Sequence, residues 1–276
     1  FMKALEINPY CAVAYVGLGH VLPQLKAFAE AFAAYHEALR LEPRLALAQQ
    51  NQNQVMVALK QQSIPPYQPT ASIEAYHQQA LTFIQLGNFR AAIAEWTKAI
   101  KLAPQWVQAY NNRGMAYQDS GNLAAALADY NQAIRLNPTY AIAYYNRGNV
   151  HKTKEQYSAA LIDYGATLLL NPHDFQVLNN RGHLYYLLGD YTAACNDLTL
   201  ALTFNPRCAV AYYNRGLVYQ RMGNDKGVLD DFRTYLMLQP NGFARSEVEK
   251  TVTLLERKLS TASHSQPRAR DLLRLG

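Results

Sequence analysis

The sequence repeats itself every 34 residues. The triplet Asn-Arg-Gly begins at Asn112, Asn146, Asn180 and Asn214. Prolines keep the same spacing at Pro104, Pro138, Pro172, Pro206 and Pro240, and again at Pro9 and Pro43. A fixed period of this length indicates a helical solenoid, in which each repeat buries its apolar face against its neighbours. The 276 residues are therefore expected to form one repetitive array rather than two globular domains.

Seven positions of the repeat carry the same kind of residue from copy to copy. With the proline at position 32, full repeats span 12–45, 73–106, 107–140, 141–174, 175–208 and 209–242. In the third of these frames the recurring residues are Tyr110, Gly114, Tyr117, Ala126, Tyr130, Ala133 and Pro138. The pattern resembles the tetratricopeptide repeat, which carries Trp or Tyr, Gly, Tyr, Ala, an aromatic residue, Ala and Pro at these places. The resemblance covers nearly nine-tenths of the chain. It implies an all-α fold, a right-handed superhelical α-solenoid of helix-turn-helix repeats.

Each repeat is expected to form two helices joined by a tight turn. Four repeats have glycine at the turn, where a left-handed residue closes the first helix: Gly87, Gly121, Gly189 and Gly223. Small residues at positions 8 and 20, such as Gly114 and Ala126, let the two helices approach closely. A proline before the next repeat ends the second helix, because the preceding residue is disfavoured in the helical region.

Position 7 departs from the family pattern. It is usually leucine in tetratricopeptide repeats, but four repeats here carry Arg113, Arg147, Arg181 and Arg215. The same four repeats carry Asp129, Asp163, Asp197 and Asp231 at position 23. The two positions lie eight residues either side of the turn, so we expect a partly buried Arg–Asp bridge within each hairpin. An anion-binding row of arginines is the alternative, and it is disfavoured because the aspartates neutralise the charge.

The period breaks once, between Pro43 and Pro104. Residues 46–62 can form one helix, but three prolines between 65 and 69 forbid a second helix directly after it. We interpret the break as a local defect in a continuous superhelix, with a hinge as the alternative.

The predicted organisation has five segments. In chain order they are a partial repeat, one full repeat and a degenerate helix (1–62), a proline-rich break (63–72), five repeats (73–242), a capping helix (243–259) and a flexible basic tail (260–276). The first nine residues read as the end of a repeat already under way. We therefore expect that upstream residues, including any targeting segment, have been removed.

Composition disfavours several classes of function. The net charge is +6, but residues 1–242 have 19 Lys and Arg against 16 Asp and Glu, so the repeats offer no clustered basic face for nucleic acid. Three cysteines without Cys-x-x-Cys spacing argue against a zinc ribbon or a disulfide framework and suit a reducing compartment. No signal peptide or bilayer-spanning apolar run is present, and a cytoplasmic location is favoured.

No catalytic motif is found either. The sequence has no glycine-rich phosphate loop, no nucleophile elbow and no paired metal-ligand spacing. A metal shared by His151 and His183 is disfavoured, because the sequence offers no further ligands. We expect no enzyme activity, no cofactor and no metal.

The resemblance directs attention to a groove lined by the first helices. Position 6 places a ladder of amides there, formed by Asn112, Asn146, Asn180 and Asn214. Around them we expect Tyr145, Asn179 and Tyr213 at position 5, Asn149 and His183 at position 9, and the charged residues Lys152 and Arg221. An asparagine side chain both donates and accepts, so it can bind the backbone of an extended peptide. The alternative is that these amides only solvate an empty groove or bond to a neighbouring helix.

One known mode of peptide binding is disfavoured. Tetratricopeptide domains that bind a C-terminal carboxylate use two asparagines and several basic residues. Asn149 and Asn180 match the asparagines, but Tyr145, Val210 and Asn214 stand where the basic residues belong. Without those charges a terminal carboxylate loses its strongest hydrogen bonds. An internal peptide segment or a folded partner is therefore preferred.

The sequence thus predicts a non-catalytic scaffold or assembly factor that binds a protein or peptide in its groove. The Asn-Arg-Gly repeats resemble those abundant in bacterial proteins. Three alternatives stay open: the targeting or regulatory arm of a larger enzyme such as a glycosyltransferase or kinase, a module that self-associates through its N-terminal edge at Phe1, and a nucleotide-reading helical repeat.

Overall fold

The structure, a computed structural model, describes residues 1–25, 27–61 and 67–264. Every regular element in these ranges is helical, and no strand occurs in them. Successive helices pack in pairs. The all-α helical-repeat architecture predicted from the sequence is confirmed. The helices form two compact units, Phe1–Pro172 and His173–Gly276.

The first unit opens with an N-terminal arm, which we define as residues 1–61. Its elements are α1 (Met2–Ile7), α2 (Ala12–Val21), a 3₁₀ turn (Leu22–Leu25), α3 (Phe28–Leu41) and α4 (Ala46–Lys60). Helix α3 packs between α2 and α4. Its small side chains permit close contact on several sides, since Ala29, Ala31, Ala33, Ala34 and Ala38 are all buried.

Three helical hairpins form the rest of the first unit. They are α5 (Ala71–Gln85) with α6 (Phe89–Leu102), α7 (Val107–Asp119) with α8 (Leu123–Leu136), and α9 (Ala141–Thr153) with α10 (Tyr157–Leu170). Helix α6 also packs on α7, and α8 on α9. This is the nearest-neighbour stacking by which a solenoid buries its core.

The second unit contains two hairpins and a final helix. The elements are α11 (Phe175–Leu188), α12 (Tyr191–Phe204), α13 (Ala209–Met222), α14 (Asp225–Leu238) and α15 (Arg245–His264). Val248 and Val252 of α15 are buried against α14. The helix runs past the predicted end of the cap at residue 259, and residues 265–276 of the predicted tail lie outside the described residues.

The turn inside each hairpin has a local cause. Gly121 adopts a left-handed φ of +83°, a conformation that glycine takes without steric strain because it has no Cβ. The side chain of Asn122 then caps α8 by accepting the backbone N–H of Ala125 at 3.1 Å. The hairpin of α9 and α10 has no glycine at this place, and Glu155 takes the left-handed conformation instead, with φ of +57°.

The arm does not stack on the hairpins in sequence order. Helices α4 and α5, which flank the proline-rich break, form no extensive contact in the described part of the chain. Instead α3 packs along α10, and the hydroxyl of Ser158 donates to the backbone carbonyl of Leu5 at 3.1 Å. This differs from the interpretation as a continuous superhelix with a local defect, because the arm folds back onto the third hairpin.

The close approach of paired helices depends on the glycine at position 8. A Cβ added to Gly114 would lie 2.7 Å from Cε1 of Tyr130, whose ring is fully buried. The same holds at Gly216, where an added Cβ would overlap the ring of Phe232. The large ring of the second helix therefore occupies the space that the absent side chain leaves.

We predict that Gly114→Ala destabilises the protein by about 1–3 kcal/mol, because the added methyl must displace a buried ring. Urea denaturation followed by far-UV circular dichroism measures the loss. The control is Ala128→Ser on the exposed surface of α8, which should stay within about 0.5 kcal/mol of the parent. Equal stability of the two variants would contradict the packing described for Gly114.

Candidate functional site

The arginines at position 7 form ion pairs within their own hairpins. In the hairpin of α7 and α8, Arg113 Nε and Nη2 donate to the two carboxylate oxygens of Asp129, each at 2.7 Å. The same two-bond contact joins Arg147 to Asp163, Arg181 to Asp197 and Arg215 to Asp231. The arginine side chains are only 13–16% exposed. Paired carboxylates therefore neutralise the row of arginines that could otherwise bind an anion.

Three of these arginines also reach the preceding hairpin. Arg113 Nη1 donates to the hydroxyl of Thr97 at 3.0 Å, and Arg147 Nη1 donates to the side-chain oxygen of Asn131 at 2.7 Å. In the second unit Arg215 Nη1 donates to Thr199 at 3.1 Å. Each of these guanidinium groups thus joins two helices of its own hairpin to the second helix of the one before it.

The amide ladder is partly used to join first helices. Asn146 Nδ2 donates to Asn111 Oδ1 at 3.0 Å in the first unit, and Asn214 Nδ2 donates to Asn179 Oδ1 at 2.9 Å in the second. Asn111 is 2% exposed and Asn214 is 8% exposed. At these two steps the position-6 amide bonds to a neighbouring helix, which is the alternative that the sequence left open.

Other polar groups on the first helices of the first unit stay partly exposed. Asn112 accepts a long 3.3 Å bond from Asn111, and Asn149 accepts the hydroxyl of Tyr164 at 2.7 Å. Tyr145 lies beside the ring of Tyr164, with centroids 6.2 Å apart. These contacts use the amide oxygens of both asparagines and leave their N–H groups as potential donors to a ligand.

We call the exposed side of the first helices the first-helix face. In the first unit it includes Asn112, Tyr145 and Asn149 and continues to Lys152 at the end of α9. Burial lowers the pKa of its ammonium group. A cation that has lost part of its hydration is stabilised by an opposite charge, so an acidic group is the natural counterpart at this position.

Aromatic rings dominate the first-helix face of the second unit. Tyr186 stacks on His183 at 6.2 Å and lies 6.0 Å from the guanidinium of Arg221, whose Nε donates to its hydroxyl at 3.4 Å. Tyr213 contacts Phe243 edge-on at 5.3 Å, and Phe243 itself is largely exposed. The face therefore offers flat apolar surface beside an exposed cation.

Sequence reasoning missed two of these rings. Tyr186 occupies position 12, the same repeat position as the predicted groove residue Lys152, so the frame alone could have identified it. Phe243 follows the last repeat and has no place in the frame. Only the fold shows that it lies against Tyr213.

The described residues give no sign of a metal site or a membrane span. No group of three or more His, Cys, Asp or Glu side chains within them could hold a metal ion. No helix among them is long and apolar enough to cross a bilayer.

Known families agree with this geometry. A model of the TPR repeat matches residues 80–121, 116–155 and 182–223. The chain is a tetratricopeptide-repeat protein. No curated protein sequence matches it.

Solved tetratricopeptide-repeat structures resemble it in fold. MamA is 24% identical, with 61% of this chain and 92% of MamA covered and a TM-score of 0.55. YrrB, described as a TPR protein with an unusual peptide-binding site, is 22% identical over 63% of this chain and 90% of YrrB, with a TM-score of 0.54. PilW, a widely conserved type IV pilus biogenesis factor, is 16% identical over 74% of this chain and 99% of PilW, with a TM-score of 0.59. At these identities the likeness concerns the fold alone.

The predicted groove residues of this tetratricopeptide-repeat protein divide between the two units. The first unit holds Asn112, Tyr145, Asn146, Asn149 and Lys152, and the second holds Asn179, Asn180, His183, Tyr213, Asn214 and Arg221. Within the first unit, Asn146 is tied to α7 and the others stay partly exposed. Within the second, Asn214 is buried, whereas Tyr213 and Arg221 are accessible.

We predict that Arg147→Met destabilises the protein more than Arg113→Met. Arg147 Nη2 binds Glu30 of α3 at 2.8 Å in addition to Asp163, so its removal strands two buried carboxylates instead of one. The expected loss is about 3–5 kcal/mol, the usual range for breaking a buried ion pair. Chemical denaturation of both variants measures it. Exposed Arg135 provides the control, and an Arg147→Met variant as stable as Arg135→Met would exclude a structural role for Arg147.

Proposed function

We propose that this protein is a non-catalytic scaffold that binds extended peptide segments along its first-helix faces. The observation that carries the proposal is the contrast between the guanidinium groups of position 7, which are paired, and the amide N–H groups of Asn112 and Asn149, which remain as potential donors to a ligand. The arginines at position 7 are paired within the hairpins, whereas Asn112, Tyr145 and Asn149 stay partly exposed on one side of the first unit. Amide N–H groups beside an aromatic ring suit an extended backbone, because they bind carbonyl groups whatever the side chains.

The charge of these faces favours an acidic peptide. Helices α9, α11 and α13 contain no Asp or Glu, while Lys152 and Arg221 lie at their C-terminal ends. A cation at the end of a helix without carboxylates attracts an acidic side chain and speeds association. The preferred ligand is therefore an internal segment that combines acidic and aromatic or apolar residues.

The structural relatives support this reading by analogy. YrrB has the same fold and is described as having a peptide-binding site. PilW is described as a biogenesis factor, which agrees with an assembly role for the present protein. Because fold alone does not determine function, binding is inferred from the exposed amide and aromatic groups of this chain.

We predict that a peptide selected from a display library on the full chain loses affinity when the face that holds it is altered. Tyr145→Ala with Lys152→Ala changes the first unit, and Tyr186→Ala with Arg221→Ala changes the second. The variant whose face holds the peptide should bind about tenfold or more weakly, a cost of about 1.4 kcal/mol that is typical of losing an aromatic and a charged contact. Fluorescence polarisation with labelled peptide measures the dissociation constant, and added salt should weaken binding further.

The matched control lies on the outer surface of the second unit. Thr192→Ala with Asn196→Ala removes two exposed polar side chains from α12 and should leave peptide affinity unchanged. Asn146 and Asn214 are not used for this test, because their amides hold neighbouring helices. Unchanged affinity in both face variants, with the control as tight as the parent, would overturn the proposal.

A further inference from the structure

Helix α10 has an outer surface unlike those of α8, α12 and α14. Four positions one to three turns apart form this surface in every repeat. In α8 the four residues are exposed: Ala124, Ala128, Asn131 and Arg135. In α12 all four are polar: Thr192, Asn196, Thr199 and Thr203. In α14 three of the four are charged: Lys226, Asp230, Arg233 and Met237. In α10 the four are small or apolar: Ser158, Ile162, Gly165 and Leu169. We call these four residues the α10 strip.

The α10 strip is covered by the arm. A Cβ on Gly165 would lie 2.9 Å from the Cβ of Ala33, so the two helices touch at their smallest residues. Ile162 is 5% exposed although it faces away from its own hairpin partner. An apolar strip on an outer surface is costly unless it is covered, and here both contacting helices carry matching small residues.

A buried ion pair fixes how the arm sits. Glu30 of α3 is 6% exposed, and its Oε1 accepts Arg147 Nη2 at 2.8 Å. Arg147 holds Asp163 of α10 at the same time. A buried charge pair tolerates only one alignment of the two surfaces, so the contact between the arm and the hairpin is specific as well as apolar.

The covalent connection of the arm to the rest of the chain runs between α4 and α5. Those two helices form no extensive contact in the described ranges, so the arm can leave the α10 strip without disrupting packing at the connection. The connecting sequence contains three prolines, Pro65, Pro66 and Pro69. An identical arm from another molecule would make the same contacts with the α10 strip.

We propose that the α10 strip is a docking surface for the arm of a second copy of this chain, so that two chains exchange arms and form a dimer. The balance between the closed monomer and the exchanged dimer depends on the effective concentration that the connection provides. An exchanged dimer carries two sets of first-helix faces and can hold two segments of one ligand. Exchange of the arms does not depend on which peptide those faces bind.

Shortening the connection tests the proposal. Deleting residues 62–66 from the full chain restricts the return of the arm to its own α10 and should raise the dimeric fraction severalfold. Size-exclusion chromatography with light scattering measures this at protein concentrations up to about 1 mM, the order of magnitude that a short linker supplies in effect. Ile162→Asp in the shortened chain should restore the monomer. The matched control, Ala128→Asp at the equivalent position of α8, should not.

A second measurement uses the unshortened chain. Tagged and untagged molecules are unfolded together in urea, refolded at high concentration, diluted and passed over affinity resin. Exchanged dimers carry untagged chain onto the resin, and Ile162→Asp in both partners abolishes this. If the shortened chain fails to fold, this measurement decides. Monomers throughout, no co-purification, or a dimer that survives Ile162→Asp would overturn the proposal.

Discussion

The two-bond contact between arginine at position 7 and aspartate at position 23 organises the structure. It joins the two helices of the hairpin, and in three repeats the same guanidinium also binds the hairpin before it. Local hairpin geometry and stacking are thereby coupled through one planar group. Lysine could not replace it, because an ammonium lacks the fixed set of donors that satisfies a carboxylate and a third acceptor together.

Much of the structure of each hairpin can be predicted from the periodicity of the sequence. The turn glycines, the small residues at position 8 and the Arg–Asp spacing all concern residues within one repeat, whose relative placement is set by the hairpin itself. The hydrogen bond from the side chain of Asn146 to that of Asn111 could not be predicted, because an asparagine at that position suits both peptide binding and contact with a neighbouring helix. Choosing between them requires side-chain positions from two adjacent repeats, and a repeat frame contains no such information.

The position of the arm could not be predicted from the repeat frame either, for a different reason. Stacking in sequence order is the default for a repeat array, and a proline-rich break does not say where the preceding segment goes. A signal was nevertheless present, since Ile162 and Gly165 occupy positions that are polar or charged in the later repeats. Comparing the same position across repeats, rather than matching each repeat to a family pattern, would have marked α10 as a covered surface.

The residue at position 5 alternates along the array as Asn111, Tyr145, Asn179 and Tyr213. Because an amide-to-amide bond between first helices needs asparagine at that position, it forms from Asn146 and from Asn214 to the asparagine 35 residues earlier. The chemical unit of the array is therefore a pair of hairpins, although the sequence period is one. Gain or loss of a single hairpin during evolution would disturb the alternation of Asn and Tyr at position 5. Gain or loss of two hairpins would preserve the alternation and its amide-to-amide hydrogen bonds.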